Sequence, residues 1–323
     1  MKKIRFLIFF LIGLFIFQWV FNFFSGEESV KLILDNKFQL ILLIIAHIPT
    51  LYFDSYAWLV LMTKNKLSNS SAFLITWISQ TSGKIFPTGN ITGELVRVYL
   101  AKTSGQTFSY ASTTVLVDLF IAAISLLIFG ILSLLLILFK DSNLILNNGF
   151  TYFIVSMFLI FLATTLFIVI IRNRLLYVLL KKFSFQKILR FNRSKIMSIL
   201  RLDYSLYKLS QNKRVLLHSL VLRLLGWLAG AFEIYVFLLI IDVDANFVDV
   251  IIIESITAIV RSIVFFIPAG LGVQELAFVM IGEILGFSYI TSFSIALGRR
   301  LREIMVGIPA ILYWYLVFRK KVY

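Results

Sequence analysis

Long runs of Leu, Ile and Phe dominate this chain, and polar residues interrupt them in only a few places. A hydrocarbon core of ~30 Å needs about 20 apolar residues per helical crossing. Six stretches have that character: 6–24, 38–62, 109–139, 150–171, 214–241 and 290–318. Two regions, 70–104 and 247–286, are apolar but broken by Pro, Gly and charged residues. The pattern predicts an all-α polytopic membrane protein with six full crossings and two re-entrant hairpins, forming a single integral membrane domain over 1–323. The first run follows "MKKIR" as a signal peptide would, but it is too long and lacks a small-residue cleavage site. It is read as an uncleaved first helix.

Composition agrees, with 60% hydrophobic residues and 33 Phe in 323 residues, against roughly half apolar in a soluble domain. The absence of Cys excludes disulfides, thiolate nucleophiles and thiolate metal sites. His47 and His218 are the only histidines, which argues against a histidine metal centre or a hydrolase triad, and no phosphate-cradling Walker sequence is present. No cofactor is expected, and the chain reads as something other than an enzyme.

The net charge of +15 points to lipid rather than to nucleic acid because of where it lies. Between Arg172 and Arg214 there are twelve Lys or Arg and one acid, Asp203. Such a segment is retained in the cytoplasm and attracted to an anionic leaflet, and its interspersed Leu, Ile and Phe suggest helices lying on that surface. With "MKKIR", Lys64, Lys66 and the terminal "RKK" also inside, and "GEESV" and "DVDANFVD" outside, both termini are cytoplasmic. The expected location is a prokaryotic cytoplasmic membrane. The hairpin in 70–104 then begins and ends inside, and that in 247–286 begins and ends outside.

The two hairpins align at a constant offset of 181, where Pro87, Gly89, Glu94, Leu95, Val98, Gly105 and Leu116 meet identical residues. The same offset superposes helix 38–62 on 214–241 and helix 109–139 on 290–318, with members of each pair running in opposite directions. The chain is therefore read as two inverted repeats, about 37–139 and 218–320, joined by the basic loop 172–214, an arrangement used by secondary transporters.

"PTGNITG" and "PAGLG" should interrupt helix at membrane depth, where freed backbone groups survive only against protein or a wet cavity. Helices restarting near Thr92 and Gly272 would aim N–H groups at that space. Glu94 and Glu275 fall in the first turn after each break, as helix caps or as carboxylates exposed to a polar cavity. Asp118 and Arg299 lie nine residues into their helices, about 14 Å deep at ~1.5 Å per residue. Two readings stay open: an ion pair holding the repeats together, or an arginine surface for an anionic group. Arg302 and Glu303 share the face of Arg299, Arg300 points elsewhere, and Arg97 adds charge near the cytoplasmic entrance. His47, Pro49, Asp54, Arg223 and Glu233 are expected to line the cavity or bond between helices.

"PTGNITGELVRVYL", a helix with "VLVD", and then "PAGLGVQE" and "ALGRRL" resemble the transmembrane, flippase-like region of bacterial lysylphosphatidylglycerol synthases across nearly the whole chain. The resemblance implies a lipid translocase. It carries over to Pro87, Gly89, Gly93, Glu94, Arg97 and Asp118, and to Pro268, Gly270, Gly272, Glu275 and Arg299. Thr92 stands where many relatives have the first Gly of a pair, and Val273 and Gln274 precede the second acid, so the headgroup preference is this chain's own. The soluble synthase domain of the full-length family members is not expected here, so lipid aminoacylation by this chain alone is not expected. The expected ligands are membrane lipids with an anionic headgroup, with a lipid-modifying or glycan-synthesis enzyme as a partner. A proton-coupled solute transporter using Glu94 or Glu275 and an accessory role in envelope biosynthesis are the alternatives.

Overall fold

The computed structural model describes residues 2–64, 66–85, 90–140, 148–174, 177–178, 193–264 and 267–318. Pro87, Gly89 and much of the basic loop lie outside the described residues. Among the described residues the chain is all helical, with no strand. That is the solution open to a chain this apolar, since a helix satisfies its backbone hydrogen bonds without help from solvent.

Helix α1 (Lys2–Phe23) turns through 82° at Ser25 into α2 (Gly26–Asp35), so the acidic segment expected as a loop is itself a helix. Glu27 and Glu28 occupy its first turn, favourable positions for the helix dipole. Then follow α3 (Ile41–Leu61), the arms α4 (Asn69–Ile85) and α5 (Asn90–Thr103), and the long α6 (Phe108–Lys140). After α7 (Asn148–Arg172) and the basic α8 (Arg193–Ser210), the sequence of elements repeats. It comprises α9 (Lys213–Ile240), the arms α10 (Phe247–Ile263) and α11 (Val273–Ile284), and α12 (Tyr289–Tyr313).

Three helices, α3, α6 and α9, are long and apolar enough to cross a membrane, and the bent α1–α2 pair makes a fourth if it is one span. The run at 290–318 is a helix as expected, but Arg299, Arg300, Arg302 and Glu303 interrupt its apolar character. The basic α8 packs on α6 and α7 through buried Leu206 and Leu209. Arg174 lies 3.0 Å from Asp203 of that helix.

The offset of 181 holds in local geometry as well as in identity. Helices α6 and α12 start at 108 and 289, and each is preceded by a glycine of positive φ, Gly105 at 96° and Gly286 at 90°. Each turn closes with equivalent bonds, Gln106 N–H to the Ala101 carbonyl and Phe287 N–H to the Gly282 carbonyl. These are C-terminal helix caps in which the left-handed residue is glycine because a Cβ is disfavoured there.

The halves interlock. Helix α3 packs along α9, α10 packs on α6, and α4 packs on α12, so each hairpin's first arm rests on the other half's long helix. Helix α1 closes the back of the second hairpin, where a Cβ at Gly272 would fall 2.5 Å from the Gly13 carbonyl oxygen and 2.6 Å from the Phe17 nitrogen.

Gly272 thus combines a positive φ of 78° with backbone contact, whereas Gly105 has a positive φ and no neighbour within 4 Å. Gly105→Ala is expected to cost only backbone strain, about 1 kcal/mol. Gly272→Ala adds a collision and should cost at least about 1–3 kcal/mol more. Thermal unfolding in detergent checks this: the Gly272→Ala midpoint should fall well below that of Gly105→Ala.

Candidate functional site

The two hairpins, with α3, α6, α7, α9 and α12, line an open cavity of about 670 Å³. Its wall is apolar where α6 contributes Leu119, Phe120 and Leu126, and heavily charged elsewhere. The charges fall into two clusters.

The first gathers on Asp118, which is fully buried in α6. Arg97 of α5 donates from Nη1 to Asp118 Oδ2 at 2.7 Å and from Nε to Ser79 Oγ at 3.2 Å. Its guanidinium also lies 5.5 Å from the centre of the Trp58 ring, a favourable cation–π position. Arg223 of α9 reaches both oxygens of Asp118, with Nε 3.2 Å from Oδ1, and also donates to Asp54 Oδ1 at 2.6 Å. Gln80 of α4 donates to the other Asp54 oxygen at 2.7 Å. Glu94 stands 3.3 Å from Arg97, with its Oε2 accepting no hydrogen bond. Gly93 beside it lets α5 approach α4, since a Cβ there would lie 2.5 Å from the Ser79 carbonyl oxygen.

The second cluster runs along α12. Arg299 Nη2 donates to Glu254 Oε2 of α10 at 2.6 Å, and Arg302 Nε donates to Glu233 Oε1 of α9 at 2.8 Å. His47 of α3 lies 2.8 Å from the second Glu233 oxygen through Nδ1, and its Nε2 is 3.4 Å from Arg302 Nη1. Those neighbours assign the tautomer, with Nδ1–H donating to the carboxylate and Nε2 accepting from the guanidinium. Lys84 of α4 contacts Glu303 at 3.4 Å, and Arg300 bridges Glu303 and Glu275 at 3.2 and 2.5 Å. Nearly every cation in a medium that cannot hydrate it has a carboxylate beside it.

The residues expected at this site separate into three groups. Glu94, Arg97, Gly93, Gly270, Arg299 and Arg302 line the cavity, and Asp118 lies behind Arg97 and Arg223. Pro268, Gly272 and Glu275 do not line it. Glu275 is completely buried and accepts the Gly272 N–H at 2.7 Å, so the capping reading of this residue holds. Gly272 serves the contact with α1, and Pro268 opens the turn in which Ala269 takes a left-handed φ of 54°. Pro87 and Gly89 lie outside the described residues.

One expectation needs correction. Asp118 and Arg299 do not pair with each other; Arg97 and Arg223 neutralise the first, and Glu254 neutralises the second. Arg300 points away from the face that Arg299, Arg302 and Glu303 turn to the cavity, as its helical phase implied, and joins Glu303 to Glu275. His47, Asp54, Arg223 and Glu233 line the cavity and bond between helices, as anticipated. The sequence reading passed over Glu254, Arg261 and Lys84, and noted Gln274 only as a departure in the second motif. A charge inside "IIIESITAIVRSIV" was the available signal for Glu254 and Arg261, because an ionisable group in so apolar a helix seeks a partner or a cavity.

Among known families, the sequence profile of the lysylphosphatidylglycerol synthase TM region matches residues 5–310. No curated protein and no solved structure matches the chain. The ion pairs give a test that needs no knowledge of the ligand. Arg299→Ala strands Glu254 in the interior and should destabilise by roughly 3–5 kcal/mol. Adding Glu254→Gln should recover a large part of that loss, with a coupling of about 1–3 kcal/mol in a double-mutant cycle. Strictly additive unfolding energies would mean that the pair contributes nothing.

Proposed function

Because the chain belongs to the family of the lysylphosphatidylglycerol synthase TM region, we propose that it carries an anionic or modified phospholipid, or a lipid-linked intermediate, between the leaflets of a membrane. The observation that carries this reading is the charged cavity itself, lined by both hairpins and by apolar helices that a bilayer would surround. A phospholipid has the matching division, with a polar headgroup for the clusters on α5, α9 and α12 and acyl chains for the apolar wall of α6.

In this reading the two halves are inverted repeats, and movement consists of one hairpin and its long helix shifting against the other half. The shared element order, the equivalent glycine turns and the exchange of hairpin arms support it. The protein resides in a prokaryotic cytoplasmic membrane with both termini inside, and it breaks no covalent bond in its cargo. An enzyme that modifies lipids or builds envelope glycans is the partner class that fits such a carrier. Proton-coupled solute transport has less support, because Glu275 is engaged by the Gly272 N–H and Arg300.

Reconstitution into vesicles with a headgroup-labelled phospholipid tests the transport. The wild type should accelerate exchange between leaflets, and exchange no faster than in protein-free vesicles would remove the reading. Arg299→Lys keeps the charge facing Glu254 but loses the planar fork, and should lower the rate about tenfold while the protein still inserts. Native lipids retained on purification, identified by mass spectrometry, would name the cargo.

The topology has its own test, made simple by the absence of Cys. Lys102 and Glu283 are exposed and equivalent at the offset of 181. Single cysteines there should react with a membrane-impermeant thiol reagent from opposite sides, Lys102→Cys from the cytoplasm and Glu283→Cys from outside. Labelling from one side alone would sink the inversion.

A further inference from the structure

The charges of the cavity are unevenly shared between its two ends. On the α5 side, Arg97 and Arg223 face three carboxylates: Asp54, Glu94 and Asp118. On the α12 side, Lys84, Arg299 and Arg302 each contact a carboxylate of their own, on Glu303, Glu254 and Glu233. Arg261, in the last turn of α10, also lines this end, and it makes no ion pair among the described residues. The cavity therefore presents an excess of negative charge at one end and of positive charge at the other.

The positive end also holds unused hydrogen-bonding groups. Gln274 is 1% exposed and lines the cavity, yet among the described residues neither its amide nitrogen nor its amide oxygen has a hydrogen-bond partner. The Nε of Arg299, another residue more than nine-tenths buried, likewise has no hydrogen-bond partner among the described residues. Buried polar groups left unpaired are uncommon, and one explanation is a ligand that pairs them. Arg261 and Gln274 flank the same piece of backbone: a Cβ at Gly270 would lie 3.5 Å from Arg261 Cγ and 3.9 Å from Gln274 Oε1. Glycine at this position, with φ of 62°, leaves the space between them open. The start of α11 is a poorer anion site than its sequence suggested, because Glu275 already accepts the Gly272 N–H.

We infer that Arg261, the Gln274 amide and Nε of Arg299 form a phosphoryl-binding subsite beside the Ala269–Gly270 turn, which seats the phosphate of the lipid headgroup. The three groups supply N–H donors to the phosphate oxygens, and the fork of Arg261 matches them in pairs. The amide oxygen of Gln274 accepts from a hydroxyl next to the phosphate. The surplus carboxylate at the opposite end repels an anion, which fixes the direction in which a headgroup enters. The assignment of the phosphate to a lipid rests on the transport reading above; the subsite itself does not.

Calorimetric titration of the full chain in a phosphate-free maltoside detergent tests the subsite. The probes are short-chain phosphatidylglycerol, diacylglycerol of the same chain length and inorganic phosphate. Phosphatidylglycerol should bind the wild type at least tenfold more tightly than diacylglycerol. Arg261→Gln and Gln274→Glu should each erase that preference, and Arg261→Lys should restore part of it. Arg261 has no carboxylate that its loss would strand, so Arg261→Gln is expected to fold, and Gln274→Glu keeps the side-chain shape. Binding of inorganic phosphate that is lost with Arg261 identifies a subsite open to the free anion; binding of phosphatidylglycerol alone identifies one reached with acyl chains attached. Equal affinity for the two lipids, or an undiminished preference in both variants, overturns the subsite. If labelled lipid still crosses between leaflets in that case, the transport reading survives. If the wild type moves no lipid yet its phosphate binding depends on Arg261, the subsite stands and the transport reading falls.

Discussion

A charged side chain inside an apolar medium must find an opposite charge or a pocket of water, and the central architecture of this protein follows from that requirement. Seven pairings tie α3, α4, α5, α6, α9, α10, α11 and α12 together around one cavity: Arg97–Asp118, Arg223–Asp118, Arg223–Asp54, Arg299–Glu254, Arg302–Glu233, Lys84–Glu303 and Arg300–Glu275. Dispersion alone would let apolar helices slide past one another, since lipid tails are as good a neighbour as Leu. The ion pairs remove that freedom by giving each helix one register in which its charge is met.

The pairings also distinguish two halves that the backbone makes similar. Position 97 faces position 118, and their equivalents at the offset of 181, positions 278 and 299, also face each other. In the first half Arg97 meets Asp118 as an ion pair at 2.7 Å. In the second the charge has moved to the other partner, and Arg299 lies 5.5 Å from the centre of the Phe278 ring. One contact site of the repeat is thus kept while its chemistry changes. Gln80, equivalent to Arg261, is held by Asp54, and Gly93, equivalent to Gln274, is a packing glycine. These differences contribute to the asymmetry of charge in the cavity, which gives it a preferred end for an anion.

A cavity so arranged is suited to holding a group that is itself polar and to releasing it. Lys84, Arg299 and Arg302 each already have a carboxylate, so an incoming phosphate meets Arg261 as the one cavity cation without an ion pair among the described residues and competes for the other donors. Such partial occupation weakens binding and favours turnover, which a carrier needs and a storage site does not.

Much of this was written in the sequence. Apolar runs of spanning length required helices, the offset of 181 located the equivalent glycine turns at 105 and 286, and lone charges in α6 and α12 marked the interior. Such features are local, set by composition and backbone conformation, and need no knowledge of neighbours. The choice of partners was not legible. Asp118 meets Arg223 across 105 positions and His47 meets Glu233 across 186, separations that only the packing of α6 and of α3 on α9 brings together. For the same reason Asp118 and Arg299, matched in the sequence by depth and opposite sign, are each satisfied by a different neighbour. Depth in the membrane and helical phase determine that a charge must be paired, while the tertiary arrangement of helices decides with which one.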